Sequence, residues 1–384
     1  MGLDTMTRAD AIVIGGGIAG LSMAARLANE MRVIVLEAEG ACGYHASGRS
    51  VAFAHFGLGD RIVRTLTALS LFEFREMESV SGDPIASVHP ALHIAYSDQR
   101  AELDALQEVH DRFECAYEIL QDAEIESVMP TLKIGPEHAH RAILDTGSLR
   151  LDTDAMLQRQ MADLKANGGS LVTNAPVRSI ANDAGVWAGE TPVGAFGAPH
   201  LINAAGAWAD EVARMAGVPT IGLQPRRRTV ISFDGPPETD VSRWPFTKTV
   251  TDGFYLLPEG TGRLLASPMD QTPSAPCDAA AEELAKATAA DRVETAPSLD
   301  IRRIAHSWAG LRTFAPDELP VIGESPDAPG FYWDAGQGGY GFQTSDGLSR
   351  LAARSILAKA WPGAALAAGI TPEALSPSRF ARKP

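Results

Sequence analysis

Gly15-Gly16-Gly17-Ile18-Ala19-Gly20 constrains this chain more than any other stretch, because a G-x-G-x-x-G string between a strand and a helix has few physical uses. Ala11 to Ile14 is a short apolar run that reads as a buried strand. Ile18 to Asn29 has the small and apolar spacing of a helix, and Arg32 to Glu37 reads as a second buried strand. The first 37 residues are therefore β-turn-α-β. In that setting Gly15 permits the tight turn, Gly17 lets the backbone approach a pyrophosphate, and Gly20 lets the helix pack on the strand. The helix N-terminus then stabilises the phosphate charge. Glu37 stands 20 residues after Gly17, at the end of the second strand, where an acid accepts hydrogen bonds from ribose hydroxyls. A bound dinucleotide is expected.

With 384 residues the chain is long enough for two or three domains, each with its own core. Apolar residues make up 45% and charged residues 21%, which predicts a folded globular chain rather than a disordered one. A net charge of −15 opposes attraction to nucleic acid or anionic lipid, and it makes the cluster Arg226-Arg227-Arg228 conspicuous. Cys42, Cys115 and Cys277 make no disulfide framework and no two have metal-ligand spacing, so neither a metal nor a disulfide is expected. No apolar run reaches the ~20 residues of a membrane span, and the first ten residues lack the apolar core of a signal peptide, so a cytoplasmic location is expected.

Further along, helices are predicted over about 61–79, 99–113 and 153–166, the last with Asp152 as N-cap and Gly168-Gly169 as its stop. A strand is predicted over 92–96, short strands over 170–202, and an antiparallel sheet from about 224–233 and 247–267. The chain closes with a strand over 330–334, a glycine-rich turn and a helix from about Tyr340 to Lys359. The turn Gly338-Gly339 leaves room for a flat ring, and the helix aims its positive end at it. Glycine-rich segments recur at Asn203-Ala204-Ala205-Gly206 and Gly336-Gln337-Gly338-Gly339-Tyr340-Gly341, while no second nucleotide turn is visible. One large cofactor, FAD rather than NAD, is the simpler reading.

Several ordered motifs carry a resemblance that covers nearly the whole chain. They are Gly43-Tyr44-His45-Ala46-Ser47-Gly48-Arg49-Ser50, Ile202 to Trp208, Leu223 to Thr229, Phe254-Tyr255-Leu256, Trp308-Ala309-Gly310-Leu311-Arg312 and Ala335 to Gly341. In these the chain resembles the flavin-dependent amine and D-amino acid oxidoreductases, most closely bacterial D-arginine dehydrogenases. The resemblance implies an α/β fold with a Rossmann-type FAD-binding domain (1–60, 148–218 and 320–384) and an interleaved α+β substrate domain (61–147 and 219–319) whose antiparallel sheet covers the flavin. It implies a substrate carboxylate between Arg228 and Arg312, with Tyr255, Phe56 and Gln337 around it. Cofactor contacts are expected from Gly15, Gly17, Ile18, Ala19, Gly20, Glu37, Ala38, His45, Ser47, Gly48, Arg49, Ser50, Ala205, Gly206, Gly310, Gly336, Gly338, Gly339, Tyr340 and Gly341. Arginine suits the carboxylate because its planar fork donates two parallel hydrogen bonds.

Two departures shape the expected activity. The arginine-specific branch meets the substrate guanidinium with an acid, and the corresponding stretch His89-Pro90-Ala91-Leu92-His93-Ile94 has none. A buried guanidinium without a partner costs on the order of several kcal/mol, which argues against D-arginine. His45 matches a position that carries covalent flavin in dimethylglycine-type enzymes, yet its neighbours match the noncovalent branch, so noncovalent FAD is expected. The reading is oxidative deamination of a small D-amino acid to a 2-oxo acid and ammonia, by a dehydrogenase with an unidentified electron acceptor and no assigned catalytic base. Alternatives are oxidation of an N-methyl glycine derivative or a 2-hydroxy acid, or a flavoprotein without turnover.

Overall fold

Hydrophobic strands that alternate with helices bury both faces only in a parallel sheet covered on each side. Ala11–Ile14 and Val33–Leu36 are such strands, buried at every position and joined through the helix Ile18–Leu27. The computed structural model, which describes residues 6–381, extends this pair into a six-stranded sheet. Its order is Ser170–Val172, Val33–Leu36, Ala11–Ile14, His200–Asn203, Phe331–Ala335 and Val321–Glu324. All pairs are parallel except the last, which is antiparallel. Residues 1–5 and 382–384 of the expected FAD-binding segments lie outside the described residues.

A nine-stranded sheet forms the second layer, with Gln224–Asp234 paired along its length to Ile304–Phe314. The sheet is antiparallel as expected, apart from Phe246–Thr249, which runs parallel to Ala91–Ala95. The long strand Ile304–Phe314 and the helix Glu283–Thr295 were not foreseen. The helix packs against the far face of the sheet, where Ala289 and Val293 join Ile231, Phe233, Leu256 and Leu264 in one core cluster. Two smaller sheets complete the fold, one of four strands beside the nucleotide sheet and one of three strands, Phe53–Ala54, Leu149–Leu151 and Ala86–Val88.

Local rules held where they act over a few residues. The helix Thr153–Ala166 is capped by Asp152, which accepts from Ala155 N at 2.9 Å, and Gly168 adopts φ +80° just beyond it. Arg61–Glu76 starts at Asp60 in the same way, its carboxylate accepting from Ile62 N and Val63 N. The α/β fold expected from the sequence is the fold found.

Candidate active site

The glycine turn sits at one end of a single large cleft of about 520 Å³ that runs between the two main sheets. Gly15 has φ +111°, and a Cβ there would lie 2.4 Å from the Ala204 carbonyl oxygen, so glycine is obligatory. A Cβ at Gly20 would lie 2.1 Å from the Gly15 oxygen, which makes Gly20 a packing residue that does not line the cleft. Gly17 precedes the helix in extended conformation, and the free helix end is met from afar by Ser47, whose hydroxyl accepts from Ile18 N at 3.0 Å. Glu37 lines the same cleft. Its two oxygens accept from Gly16 N at 2.7 Å and Glu39 N at 2.8 Å, so the backbone already holds the carboxylate and its remaining lone pairs are those open to a ribose.

The other end of the cleft is built on the near face of the nine-stranded sheet. Side chains alternate across a strand, so Arg226, Arg228 and Val230 share one face, and cross-strand partners share it too. Arg228 lies opposite Gly310 and Arg226 opposite Arg312, which sets Arg228 and Arg312 on one diagonal. Arg226 is spent on Glu318 at 2.7 Å and lies over the Phe314 ring, and Arg227 pairs with Glu282. Arg228 donates from Nε to the Asp270 carbonyl oxygen at 2.8 Å, and neither it nor Arg312 meets a carboxylate among the described residues. Burial pushes both guanidinium groups below their ordinary values, and the Arg312 charge pushes Arg228 further down. Asp270 and Asp252 favour both charges from nearby without pairing with either, so two buried cations on one diagonal are left with donors free for an anion.

Glycines at the far end, which line the cleft, also make room for this site. A Cβ on Gly339 would come within 2.7 Å of Arg312 Nη1, and one on Gly338, at φ +52°, within 2.5 Å of the Phe314 ring. The helix Gly341–Ile356 begins here with no side-chain cap, its N-terminus open on the cleft. Gln337 lines the cleft but donates its amide to Asp334 Oδ1 at 2.7 Å, and Tyr340 donates its hydroxyl to the Glu318 carbonyl oxygen. Tyr255 lines the cleft with its hydroxyl unpartnered among the described residues.

Some expected contacts lie elsewhere. Phe56 is a correction: it stacks on Phe113 at 5.3 Å and meets His110 in the core, outside the cleft. Phe53, His55 and Leu58 line the cleft instead, because the strand Phe53–Ala54 ends before residue 56 and the chain beyond it turns the Phe56 ring into the core. Arg49 borders the cleft, but its guanidinium donates to the carbonyl oxygens of Ala279 at 2.7 Å and Ala309 at 3.1 Å and pairs with Asp278. That makes it a clasp between segments. Gly48 and Gly336 form turns away from the lining, Gly48 N donating to Gly43 O at 2.6 Å. Ala38, Ser50, Ala205, Gly206 and Gly310 line it, as does His45, held between Trp208 and Glu39.

Lys248 was missed. It is only 2% exposed, lines the cleft, and stands opposite both His93 and Tyr255 in the sheet. Its Nζ donates to the Thr249 carbonyl oxygen at 2.6 Å, and burial pushes its ammonium down to about 8. Nothing local marks it, since a lysine in a strand is usually a solvated face. His55 and His93 beside it are neutral, burial pushing His55 down to about 3 and His93 well below its ordinary value. Gly57 N donates to His55 Nδ1 at 3.1 Å, which leaves Nε2 as the protonated nitrogen.

A parallel nucleotide sheet and two helix N-termini opening on one cleft are the features of a dinucleotide-binding protein. Residues 10–355 match the family described as FAD dependent oxidoreductase, and the chain belongs to it. Mouse dimethylglycine dehydrogenase is 26% identical over 91% of this chain, and this chain spans only 42% of that protein's length. Glycine oxidase of Pseudomonas putida is 27% identical over 85% of this chain and 88% of its own. The structure of Geobacillus kaustophilus glycine oxidase superposes with a TM-score of 0.81 at 20% identity, covering 97% of this chain and 99% of that one. Family members use FAD, and the residues here fit it: the two helix N-termini, the Glu37 carboxylate and the Gly17 turn, where a Cβ would meet only the Ser47 hydroxyl at 3.2 Å.

Proposed function

We propose that this chain oxidises the Cα–N bond of a small amino acid whose carboxylate is gripped by Arg228 and Arg312. The observation that carries this is the pair of buried guanidinium groups on one diagonal, both without a carboxylate partner. Bound FAD supplies the hydride acceptor, and the other tasks fall to the chain. The arginine fork fixes the carboxylate and hence the direction of the Cα–H bond. Phe53, Phe246, Val230 and Met269 keep water from the reacting carbon. The neutral amine loses a proton as the hydride leaves, which forms a C=N bond. Water then adds to the imine and ammonia departs, yielding the 2-oxo acid.

A small D-amino acid is the leading substrate class. Glycine or an N-methyl glycine derivative is the second reading, favoured by the names of the relatives. The unidentified acceptor, noncovalent attachment and cytoplasmic residence belong to the same proposal; no helix among the described residues is long and apolar enough to cross a membrane. So does the division into two interleaved domains, supported by the nucleotide sheet drawing strands from 11–36, 170–203 and 321–335 and the larger sheet from 91–145 and 224–314.

Replacing Arg312 by Met is expected to raise KM for the substrate by about 100-fold or more with the yellow cofactor retained, as loss of a charge-assisted bidentate contact implies. A panel of D-amino acids, glycine, N-methyl glycines and 2-hydroxy acids, read by anaerobic bleaching of the flavin, supplies the substrate. Bleaching by 2-hydroxy acids alone, or unchanged kinetics in the variant, overturns the reading.

A further inference from the structure

Three long cationic side chains converge on the substrate end of the cleft, and a single α-carboxylate uses only two of them. Arg228 and Arg312 form the diagonal already described; Lys248 is the third. Its strand Phe246–Thr249 lies three steps from the Arg228 strand, through Tyr255–Glu259 and Arg263–Ser267. Three steps are about 14 Å of backbone at ~4.8 Å each. Arginine and lysine side chains reaching inward from both sides narrow that gap to the span of a short organic molecule.

No carboxylate pairs with the lysine within salt-bridge distance among the described residues; Asp252, whose Oδ2 accepts from Gln271 Nε2 at 3.3 Å, acts on it only as a nearby negative charge. The acids of the cleft lining are Glu37, Glu39 and Glu211, all grouped with the nucleotide end. Asp270 is held by Thr229, its oxygens accepting from Thr229 N at 2.7 Å and Thr229 Oγ1 at 2.9 Å. The histidines that border Lys248 add no negative charge, and Tyr255 across the strand offers an unpartnered hydroxyl. One of the three ammonium protons is bonded to the Thr249 carbonyl oxygen, and no other partner exists among the described residues. A buried ammonium in this state is costly unless a ligand supplies the missing anion.

We infer that Lys248 is the specificity residue for a second anionic group on the substrate, so that the preferred substrate is a dicarboxylic amine such as an acidic amino acid or an N-carboxymethyl glycine. The inference rests on Arg228 and Arg312 holding the first carboxylate. The amine then lies between the two anchored ends, with its Cα–H bond directed by both. This also accounts for the absence of an acid along Ala91 to Ile94: a pocket that presents an ammonium at its far wall repels the guanidinium that such an acid would serve.

The test compares each acid with its isosteric amide in the holoenzyme. D-Aspartate against D-asparagine, and D-glutamate against D-glutamine, are read by kcat/KM for anaerobic flavin reduction, with N-carboxymethyl glycine against N-methyl glycine as a third pair. The acid is expected to exceed its amide or neutral counterpart by about 10- to 100-fold, the worth of a charge-assisted hydrogen bond. In Lys248→Met that ratio is expected to collapse, and Lys248→Arg to restore part of it. Binding without turnover gives an independent readout: succinate and malonate are expected to raise the melting temperature of the holoenzyme more than propionate and acetate do, and to lose that advantage in Lys248→Met. Equal rates for acid and amide in the unaltered protein, or an equal fall of both in the variant, overturn the inference and leave the carboxylate grip standing. If no amine of any pair bleaches the flavin, the proposed oxidation itself fails, while the melting comparison still judges Lys248.

Discussion

Asp334 lies one residue before the end of the strand Phe331–Ala335 with its carboxyl buried, and burial pushes it up to about 7 in spite of the hydrogen bond from Gln337. Folded protein therefore holds a proton that the unfolded chain gives up near pH 4. The folded state binds more protons across the interval from about 4 to 7, so this group's contribution to stability falls as pH rises through it and is fully unfavourable above it. Asp334→Asn keeps an acceptor for Gln337 and removes the titration. Urea unfolding is expected to show the variant gaining on the unaltered protein between pH 5 and pH 8, by at most a few kcal/mol at ~1.4 kcal/mol per pH unit. An equal difference at the two pH values argues against an enclosed proton. Lys248 is a residue-scale lesson of another kind: its type is common, and only its surroundings make it a site residue.

Elements formed by short-range rules were readable to within about three residues, as the helices Arg61–Glu76 and Gly341–Ile356 show against their expected ends at 79 and 359. Ala11–Ile14 matched its expected bounds, and the helix expected over 18–29 ends at Leu27. Thr153–Ala166 matched because its cap and stop are encoded beside it, and Asp152→Ala is expected to cost about 1 kcal/mol in chemical unfolding, the usual worth of such a cap. A loss below a few tenths would mean that Ala155 N is satisfied otherwise. Ile304–Phe314 was not readable as a strand, although its motif had been noticed, because its length comes from pairing with Gln224–Asp234. Phe56 was misplaced because it lies in the bend after the strand Phe53–Ala54, where its direction is set by packing on Phe113 and His110 and not by strand alternation.

At the scale of the whole molecule, one cleft gathers residues from Ile14 to Gln343 and both main sheets contribute walls to it. A cofactor seated there ties the layers together. Removing FAD is expected to lower the melting temperature, and adding it back at about 100-fold over its Kd to restore roughly 2.7 kcal/mol, by mass action on the folded state. Identical melting with and without FAD would show that the layers hold each other unaided. The Arg49 clasp onto Ala279, Ala309 and Asp278 supplies part of any such residual stability.

By itself the sequence determined the nucleotide end. Gly15, Gly17, Gly20 and Glu37 lie within one β-α-β unit, where the geometry follows from neighbours close along the chain. Motif order likewise carried Arg228, Arg312 and Tyr255 to the site. Tertiary structure alone decided which side chains share the opposite wall. His55, Lys248 and Arg312 are separated by 193 and 64 positions, and they meet only because of the strand order and the register of the nine-stranded sheet. Register has a period of two, so no local composition reveals which face a lysine joins, and that face is what turns Lys248 from a surface charge into a buried cation awaiting an anion.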